Sequence, residues 1–388
     1  MWYCLKNGFN KKFDMINTFN NKSAYDMLYL VSCILNESAP DKEKINSINL
    51  EELFKVCQLH SLTAMVCMAL ELSDVKIPGC WTEEKLKSIR KILLLDSERQ
   101  KISDYMEKKG IWYMPLKGII LKELYPQIGM RQMADNDILY DKTFKSELRD
   151  YMISQGYKTE FVGDIHHDAY IKPPVFNFEM HTTLLNEGDN EKIFAYYSNI
   201  KDKLLKDNKK NYAYHFSDED YYIYITVHEY KHFTAAGTGL RSLADRFVYL
   251  KSKQDKLDWN YIESELDKLG LSEFEKQARH LSLTIFSECE LPELSEDESE
   301  LLKYYLSSGA YGSVENRVKM NIKKLGSNSK LKYIWSRIFP PLKIYKQYFP
   351  FFYKHKLLLP IGWMYRIIRV VFTKRKLVNA ELKNLKKY

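Results

Sequence analysis

Glycine and proline are scarce in this chain of 388 residues, at 15 and 11 residues respectively. So low a content excludes collagen-like, linker-like and glycine-rich architectures. Disorder is also excluded as the overall class, because 45% of the residues are hydrophobic and the length is sufficient for about two to three packed units. The composition favours long helices.

Paired cysteine motifs and long apolar runs are absent as well. The six cysteines are scattered without a C-x-x-C pair, which is typical of neither a disulfide framework nor a zinc ribbon and favours a reducing compartment. The first twenty residues contain no continuous apolar stretch, so we expect no secretory signal. The longest apolar run, residues 357–365, is shorter than the about 20 residues that span a bilayer. We therefore expect a cytoplasmic protein.

Charge is distributed unevenly along the chain. Residues 343–388 contain twelve Lys and Arg and a single acidic residue, whereas the whole chain has a net charge of only +8. The remainder is therefore mildly acidic, and the overall excess is too small to indicate specific nucleic-acid binding, which we do not expect.

Helical periodicity dominates both ends of the chain, and the middle differs. Apolar residues recur at i, i+3 and i+4 in several segments, which predicts helices over residues 24–36, 50–72, 83–109, 218–235, 240–253, 259–268 and 272–287. Residues 111–185 instead contain short aromatic and β-branched segments separated by helix-like ones, which predicts an α+β unit. We predict four regions: an N-terminal helical region (1–109), an α+β core (110–190), a C-terminal helical domain (191–310) and a basic helical tail (311–388).

Carboxylates in the α+β unit have an informative spacing. Asp135 and Asp137 are i and i+2, so an extended strand places both on one face. Glu179 is central on the polar side of a second alternating strand over residues 175–181. If these strands pair, three carboxylates converge, as a site for two Mg²⁺ ions and a triphosphate requires for in-line displacement.

A predicted strand-to-helix turn precedes the aspartates. At Lys117-Gly118 the glycine permits close backbone approach, helical N–H groups are available and the lysine adds positive charge, so an anion would be favoured there. Arg131, four residues before Asp135, either clamps a phosphate bidentately or forms an ion pair with Asp135 without any nucleotide. Both alternatives stay open at this stage.

A competing motif, H-E-x-x-H, begins at His228. It is the zincin signature on a predicted helix, although the glycine and third histidine of its longer form are missing. We interpret the segment as an ordinary buried helix with Glu229 at its surface. His228 and His232 then either line a nucleotide cleft or are satisfied core histidines, and Lys231 either reaches a triphosphate or is solvated.

Two further groups of polar residues receive structural interpretations. Arg241 and Asp245 have the i, i+4 spacing of a helix-surface ion pair. The run His166-His167-Asp168 has the composition of a metal site, but a loop entering a strand commonly carries such residues, and we assign it no metal.

Residues 114–140, MPLKGIILKELYPQIGMRQMADNDILY, closely resemble the L-K-G, Y-P, R and D-x-D signature of the uncharacterised nucleotidyltransferases of the polymerase-β-like superfamily. Residues 178–181 resemble the third acidic strand of that family, and the helices over 228–250 resemble its helical part. The resemblance covers residues 50–250. It implies an α+β fold, with a polymerase-β-like core and small mixed sheet inside a mainly helical N- and C-terminal body.

The same resemblance implies that Asp135, Asp137 and Glu179 bind Mg²⁺. Two departures from the pattern stand out. Asn136 replaces the usual apolar residue inside D-x-D, which we interpret as a more exposed strand back, and Lys117-Gly118 replaces the Gly-Ser of the wider superfamily. Neither departure removes a metal ligand.

The resulting hypothesis is a Mg-dependent nucleotidyltransferase that moves NMP from an NTP to an unidentified hydroxyl or phosphate acceptor. The carboxylates bind two Mg²⁺ ions, Glu179 helps to deprotonate the acceptor, Lys117-Gly118 holds the phosphates and Arg131 offsets developing charge. The alternatives are a non-catalytic helical interaction protein with a membrane- or polyanion-binding tail, and an H-E-x-x-H zinc hydrolase.

The tail contains an amphipathic segment over residues 357–371, in which Trp363, Ile367 and Val371 share one side. A basic helix with Trp can lie on an anionic membrane surface. Alternatively, the apolar side packs on the core and the lysines are solvated. We favour core packing for the apolar side and retain peripheral contact with an anionic membrane for the charges.

Overall fold

The computed structural model describes residues 21–159, 167–185, 190–325, 330–342, 344–345 and 349–386. They belong to two compact units, one of Asn20–Tyr230 with Leu240–Leu302, and another that includes Lys231–Gly239 and Lys303–Tyr388. The four regions drawn from the sequence stay a prediction about domains.

From residue 21 onward, five helices precede the sheet: α1 (Asn21–Leu35), α2 (Lys42–Asn46), α3 (Leu50–His60), α4 (Thr63–Leu72) and α5 (Gly79–Lys109). The helix predicted over 50–72 is divided in two, because Ser61 adopts a left-handed conformation with φ of 56° that ends α3. Gly110, with φ of 70°, ends α5 as predicted.

A five-stranded mixed sheet follows, formed by β1 (Tyr113–Pro115), β2 (Asn136–Tyr140), β3 (Lys158–Thr159), β4 (His167–Lys172) and β5 (Phe176–His181). Its order is β1-β2-β5-β4-β3. Strands β2 and β5 are parallel, and the other neighbours are antiparallel. The predicted α+β class is confirmed, and the two strands that carry the carboxylates lie side by side.

One face of this sheet is apolar because alternate strand residues point to it. Phe178 and Met180 of β5 are fully buried there with Ile138 of β2, against α5 and α7 (Lys145–Ser154). Asn136 lies on the same face and is fully buried. Its amide donates to the Leu95 carbonyl at 3.1 Å, so the interpretation of an exposed strand back is wrong.

Short elements complete the sheet region. They are α6 (Gly118–Leu121), α8 (Glu191–Tyr196), the hairpin of β6 (Leu205–Lys206) with β7 (Tyr214–His215), and 3-10 turns at Lys122–Leu124, Lys142–Phe144, Ile200–Lys203, Gln254–Lys256 and Lys356–Leu358.

Helices dominate the remainder of the first unit and cross into the second: α9 (Asp218–Ala235), α10 (Leu240–Lys253), α11 (Trp259–Leu269), α12 (Ser272–Phe286) and α13 (Glu296–Ser308). The helices predicted over 218–235 and 240–253 are confirmed. Tyr221 and Tyr224 of α9 are buried in a second core cluster, with Leu116 and Leu139.

The second unit contains α14 (Val314–Lys324), α15 (Lys330–Ile338), α16 (Pro350–Lys354), α17 (Leu359–Thr373) and α18 (Arg375–Leu385). Val318, Ile322 and Leu385 belong to its small core, and Glu381 forms ion pairs with Arg317 and Arg337. None of the described helices combines the length and hydropathy that a membrane crossing requires.

Helix α17 leaves much of its apolar surface exposed. Ile361, Met364, Ile368 and Phe372 recur at helical spacing and are all exposed, Phe372 to 82%. On the side predicted to be apolar, Trp363 packs edge-on against Phe339, whereas Ile367 and Val371 are exposed. The expectation that this side packs on the core is therefore wrong for Ile367 and Val371.

Candidate active site

Three carboxylates meet on the polar face of the sheet. In the parallel register, Asp137 of β2 lies directly opposite Glu179 of β5, and Asp135 is two residues before Asp137. Burial and then repulsion by the other two carboxylates raise the pKa of Glu179 to about 8. Burial and Asp137 likewise raise the pKa of Asp135 to about 6. The predicted convergence is thus present, and it concentrates negative charge.

Asp137 lies close to two basic side chains. Lys117 Nζ lies 2.6 Å and His181 Nε2 2.8 Å from Asp137 Oδ1. Burial alone would raise the pKa of Asp137, but Lys117 and His181 hold it well below its ordinary value. In return, Asp137 raises the pKa of the half-buried Lys117 ammonium against the effect of burial. Lys117 therefore acts mainly on Asp137, and Lys91 and Arg241 join it in lowering the pKa of Asp135.

The Lys117-Gly118 turn is shaped by its neighbours. Lys117 has a φ of 50°, which is rare for a residue with a side chain, and its carbonyl accepts a hydrogen bond from Tyr221 Oη at 2.7 Å. A Cβ on Gly118 would collide with the Arg131 guanidinium and Met133 Sδ. Glycine is therefore required at position 118 for packing against Arg131.

Arg131 forms a bidentate ion pair with Asp245 of α10. Its Nε and Nη2 lie 2.7 and 2.9 Å from the two carboxylate oxygens of Asp245. Arg131 therefore does form an ion pair, but the partner is Asp245 and not the predicted Asp135. The predicted helix-surface pair is wrong as well, because Asp245 points toward Arg131 and Arg241 donates to the main-chain carbonyl of Gln132 at 3.2 Å.

Two histidines that received no role in the sequence analysis lie beside the carboxylates. His181 is on the Glu179 face of β5, and His167 of β4 lies opposite His181 in the antiparallel register. The alternation of residues along β5 already indicated that His181 shares a face with Glu179. The position of His167 follows only from the pairing of β4 with β5. Burial, and then His181 and Lys117, lower the pKa of His167 to about 3, so its imidazole is neutral at physiological pH.

The run His166-His167-Asp168 is divided by the strand geometry. Asp168 is buried on the opposite face, where its Oδ1 lies 3.3 Å from Lys145 Nζ, and His166 is outside the described residues. His167 is the member that reaches the carboxylates. We expected no metal role for any residue of this run, but that expectation does not fit the position of His167 beside Glu179.

The donor atoms fit a divalent cation. Carboxylate oxygens that repel one another are suitable ligands for Mg²⁺. In addition, His167, Glu179 and His181 form a group whose ligand atoms all lie within 4.8 Å of one another. Among the described residues, this is the group in which three or more potential ligand atoms lie close enough together to hold a metal ion. The histidines of the H-E-x-x-H motif do not belong to this group.

Glu229 of that motif is a structural residue. Its side chain is 6% exposed and accepts a hydrogen bond from Arg246 Nη2 at 2.5 Å, so the interpretation of Glu229 as a surface residue is wrong. Arg246 also donates to Tyr222 Oη at 2.8 Å, and Tyr222 donates to Glu275. A carboxylate held in this network is poorly placed to act as the general base of a zinc hydrolase.

The neighbouring nucleotide-binding candidates lie on α9. His228 is half-buried, and its ring lies 6.3 Å from that of Tyr224, which is one turn earlier. Tyr224 in turn interacts electrostatically with Lys117, Asp137 and Glu179. Lys231 and His232, in the following turn of α9, are also half-buried. Nucleotide binding by these three α9 residues stays a prediction.

Comparison with known proteins gives one match. The sequence model of a family described as uncharacterised nucleotidyltransferase matches residues 46–287, which is more than half of the chain. No curated protein matches the chain, and no solved structure does.

Proposed function

We propose, from the premise that the chain belongs to the uncharacterised nucleotidyltransferase family, that it is a Mg²⁺-dependent enzyme transferring NMP from an NTP to a hydroxyl or phosphate acceptor. The observation that carries the proposal is the register that sets Asp137 opposite Glu179 with Asp135 beside them. An acceptor oxygen would bond to the α-phosphorus while the bond from that phosphorus to pyrophosphate breaks.

Asp135, Asp137 and Glu179 would hold the metal. Bound Mg²⁺ would stabilise the charge that develops on the phosphate oxygens. Glu179 is also the carboxylate that would take the proton of a hydroxyl acceptor.

Phosphate binding is assigned to the side chain of Lys117, because it is the cation nearest to the carboxylates. Arg131 receives a positioning role instead, since Asp245 already engages the two donors of a bidentate clamp. Its contact with Gly118 would keep the Lys117 turn in place. His228 would line the nucleotide site from α9.

The test uses NTPs labelled at either the α- or the γ-phosphate, incubated with the full-length protein, Mg²⁺ and a cell extract. Transfer of the α-label but not the γ-label to an acceptor supports nucleotidyl transfer. Asp135→Asn/Asp137→Asn should abolish that labelling, whereas Asp104→Asn on the exposed side of α5 should not. Acceptor labelling from the γ-phosphate alone, or undiminished labelling by the double variant, would contradict the proposal.

A second proposal concerns the second unit. The exposed stripe of α17, Ile361, Met364, Ile368 and Phe372, lies in a segment with twelve basic residues and one acidic residue. Apolar side chains flanked by Lys and Arg suit the interface of an anionic bilayer. The enzyme would thereby work at a membrane surface, as a peripheral protein.

A further inference from the structure

Two imidazoles share one carboxylate oxygen at the centre of the sheet. His167 Nε2 lies 3.8 Å and His181 Nε2 lies 3.7 Å from Glu179 Oε2. Two ligand atoms bound to one ion are separated by a similar distance. With metal–ligand bonds of about 2.0–2.2 Å, a wide ligand–metal–ligand angle places the two ligand atoms slightly less than 4 Å apart. The three side chains come from two adjacent strands of a hydrogen-bonded sheet, so their spacing is set by the β4–β5 register.

The strand register puts a small residue beside the three side chains. Ala169 is the β4 residue directly opposite Glu179, on the same face as His167, and its side chain is a single methyl group. Asp137 Oδ1 lies 2.8 Å from His181 Nε2, so ligation through this nitrogen would exchange that hydrogen bond for a bond to the ion.

The chemistry of the donors differs from that of a pure Mg²⁺ site. Mg²⁺ prefers oxygen ligands and retains several waters, whereas imidazole nitrogen suits Zn²⁺, Fe²⁺ and related ions. Two histidines and one carboxylate form a common ligand set of catalytic zinc and non-haem iron centres.

We infer that His167, Glu179 and His181 bind a divalent transition-metal ion in preference to Mg²⁺. The inference rests on the proposed function in one respect. In the transferase centre, this ion would be the second metal, next to a Mg²⁺ ion held by Asp135 and Asp137. The H-E-x-x-H motif has no part in this metal site.

The test measures metal binding directly on the full-length protein after removal of metal with a chelator. Co²⁺ is the probe, because its visible absorption reports nitrogen ligands, and Zn²⁺ and Mg²⁺ are the competitors. We expect about one Co²⁺ per chain, displaced by stoichiometric Zn²⁺ but retained in about a hundredfold excess of Mg²⁺.

His167→Gln and His181→Gln should each weaken Zn²⁺ binding by about a hundredfold or more, since even outer-shell partners contribute 10–100-fold. His167→Gln is the safer variant for folding, because His181 is buried against Asp137. Two matched controls should bind Zn²⁺ as the wild type does: His280→Gln, whose side chain is 72% exposed beside Glu298, and His232→Gln.

Equal competition by Mg²⁺, unchanged affinity in folded His167→Gln, or loss of the ion in His232→Gln would overturn the inference. The readout separates it from the proposed function. NMP transfer with Mg²⁺ and no selective Co²⁺ binding would refute the inference alone, whereas selective binding without any transfer would support the inference and refute the proposed function.

Discussion

Two charge clusters in the first unit differ in how their carboxylates are paired. In the sheet cluster, Asp135, Asp137 and Glu179 lie near one another with Lys117 and two histidines, and Lys91 and Arg241 act on Asp135. The helical cluster, which joins α9, α10 and α12, pairs Glu229 with Arg246 and Glu275 with Arg279 through Tyr222.

The helical cluster is complete by itself, because each carboxylate has a guanidinium partner and shared hydrogen bonds. Such an arrangement is stable without a ligand, and breaking it leaves a buried charge. In the sheet cluster, burial and repulsion between carboxylates raise the pKa values of Asp135 and Glu179, as happens at functional sites, whereas Lys117 and His181 lower the pKa of Asp137. Repulsion between carboxylates, rather than the presence of a motif, distinguishes the candidate active site from the structural network.

The largest effects are expected at the sheet cluster, where two aspartates should affect stability in opposite directions. Asp137→Asn leaves the half-buried Lys117 without its close anion and should lower the free energy of unfolding by about 2 kcal/mol, less than for a fully buried pair. The pKa of Asp135 is raised to about 6 in the folded protein, so keeping this carboxylate ionised at pH 8 lowers the stability of the fold. Asp135→Asn removes that charge and should therefore stabilise the metal-free protein by about 1 kcal/mol. Denaturant unfolding in the presence of a chelator measures both.

Both aspartate variants should also lose NMP transfer. Lys117→Met combined with Asp137→Asn is the control, since removing both charges should restore much of the stability but no activity. A stability change of the same sign in the two single variants would contradict the opposite pKa shifts of Asp135 and Asp137.

The helical cluster should respond only in stability. Glu229→Gln leaves Arg246 buried without its anion, and the free energy of unfolding should fall by about 3–5 kcal/mol at an unchanged metal content. Glu229→Gln/Arg246→Met should recover much of this loss, which a double-mutant cycle by denaturant unfolding quantifies. Loss of a zinc-dependent hydrolase activity at unchanged stability would instead identify Glu229 as catalytic.

A smaller effect is expected at the turn that connects Lys117 to Arg131. Gly118→Ala places a methyl group against the Arg131 guanidinium, and overpacking of this kind costs about 1–3 kcal/mol. The displaced turn should also weaken NTP binding, which equilibrium binding of a labelled NTP measures. Gly79→Ala is the matched control, because no atom lies within 4 Å of the added Cβ. Equal behaviour of the two variants would show that Arg131 does not position this turn.

The smallest effect on stability is expected when an apolar side chain that is already exposed to solvent on α17 is replaced. Phe372→Ser should not change the unfolding free energy, yet it should weaken binding to anionic vesicles by about tenfold, since burying such a side chain contributes more than 1.4 kcal/mol. Binding by the wild type should fall as salt rises.

Leu331→Ser, at a residue 78% exposed on α15, is the control for that measurement. Sedimentation with anionic and neutral vesicles decides the matter, and equal, negligible binding to both would contradict a membrane role. Truncation after Thr373 is unsuitable, because Glu381 and Leu385 stabilise the second unit.

Local spacing determined the parts of the candidate site that lie within one strand or turn. The i, i+2 spacing of Asp135 and Asp137, the alternation through Glu179 and the strand-to-helix turn at Lys117-Gly118 depend on neighbours a few residues away. The sequence therefore predicted the carboxylates, the α+β class and the helices over 218–235 and 240–253.

Tertiary structure decided every pairing between distant segments. Asp245 reaches Arg131 rather than Arg241, Glu229 is buried against Arg246, and His167 reaches Glu179 only because β4 pairs with β5. A motif specifies which side chains share a face, but the free energy of burying a charge depends on partners supplied by other strands and helices. The sequence by itself thus determined where the carboxylates stand along the chain, and only the packing of the sheet and helices decided which charged side chains lie close to one another.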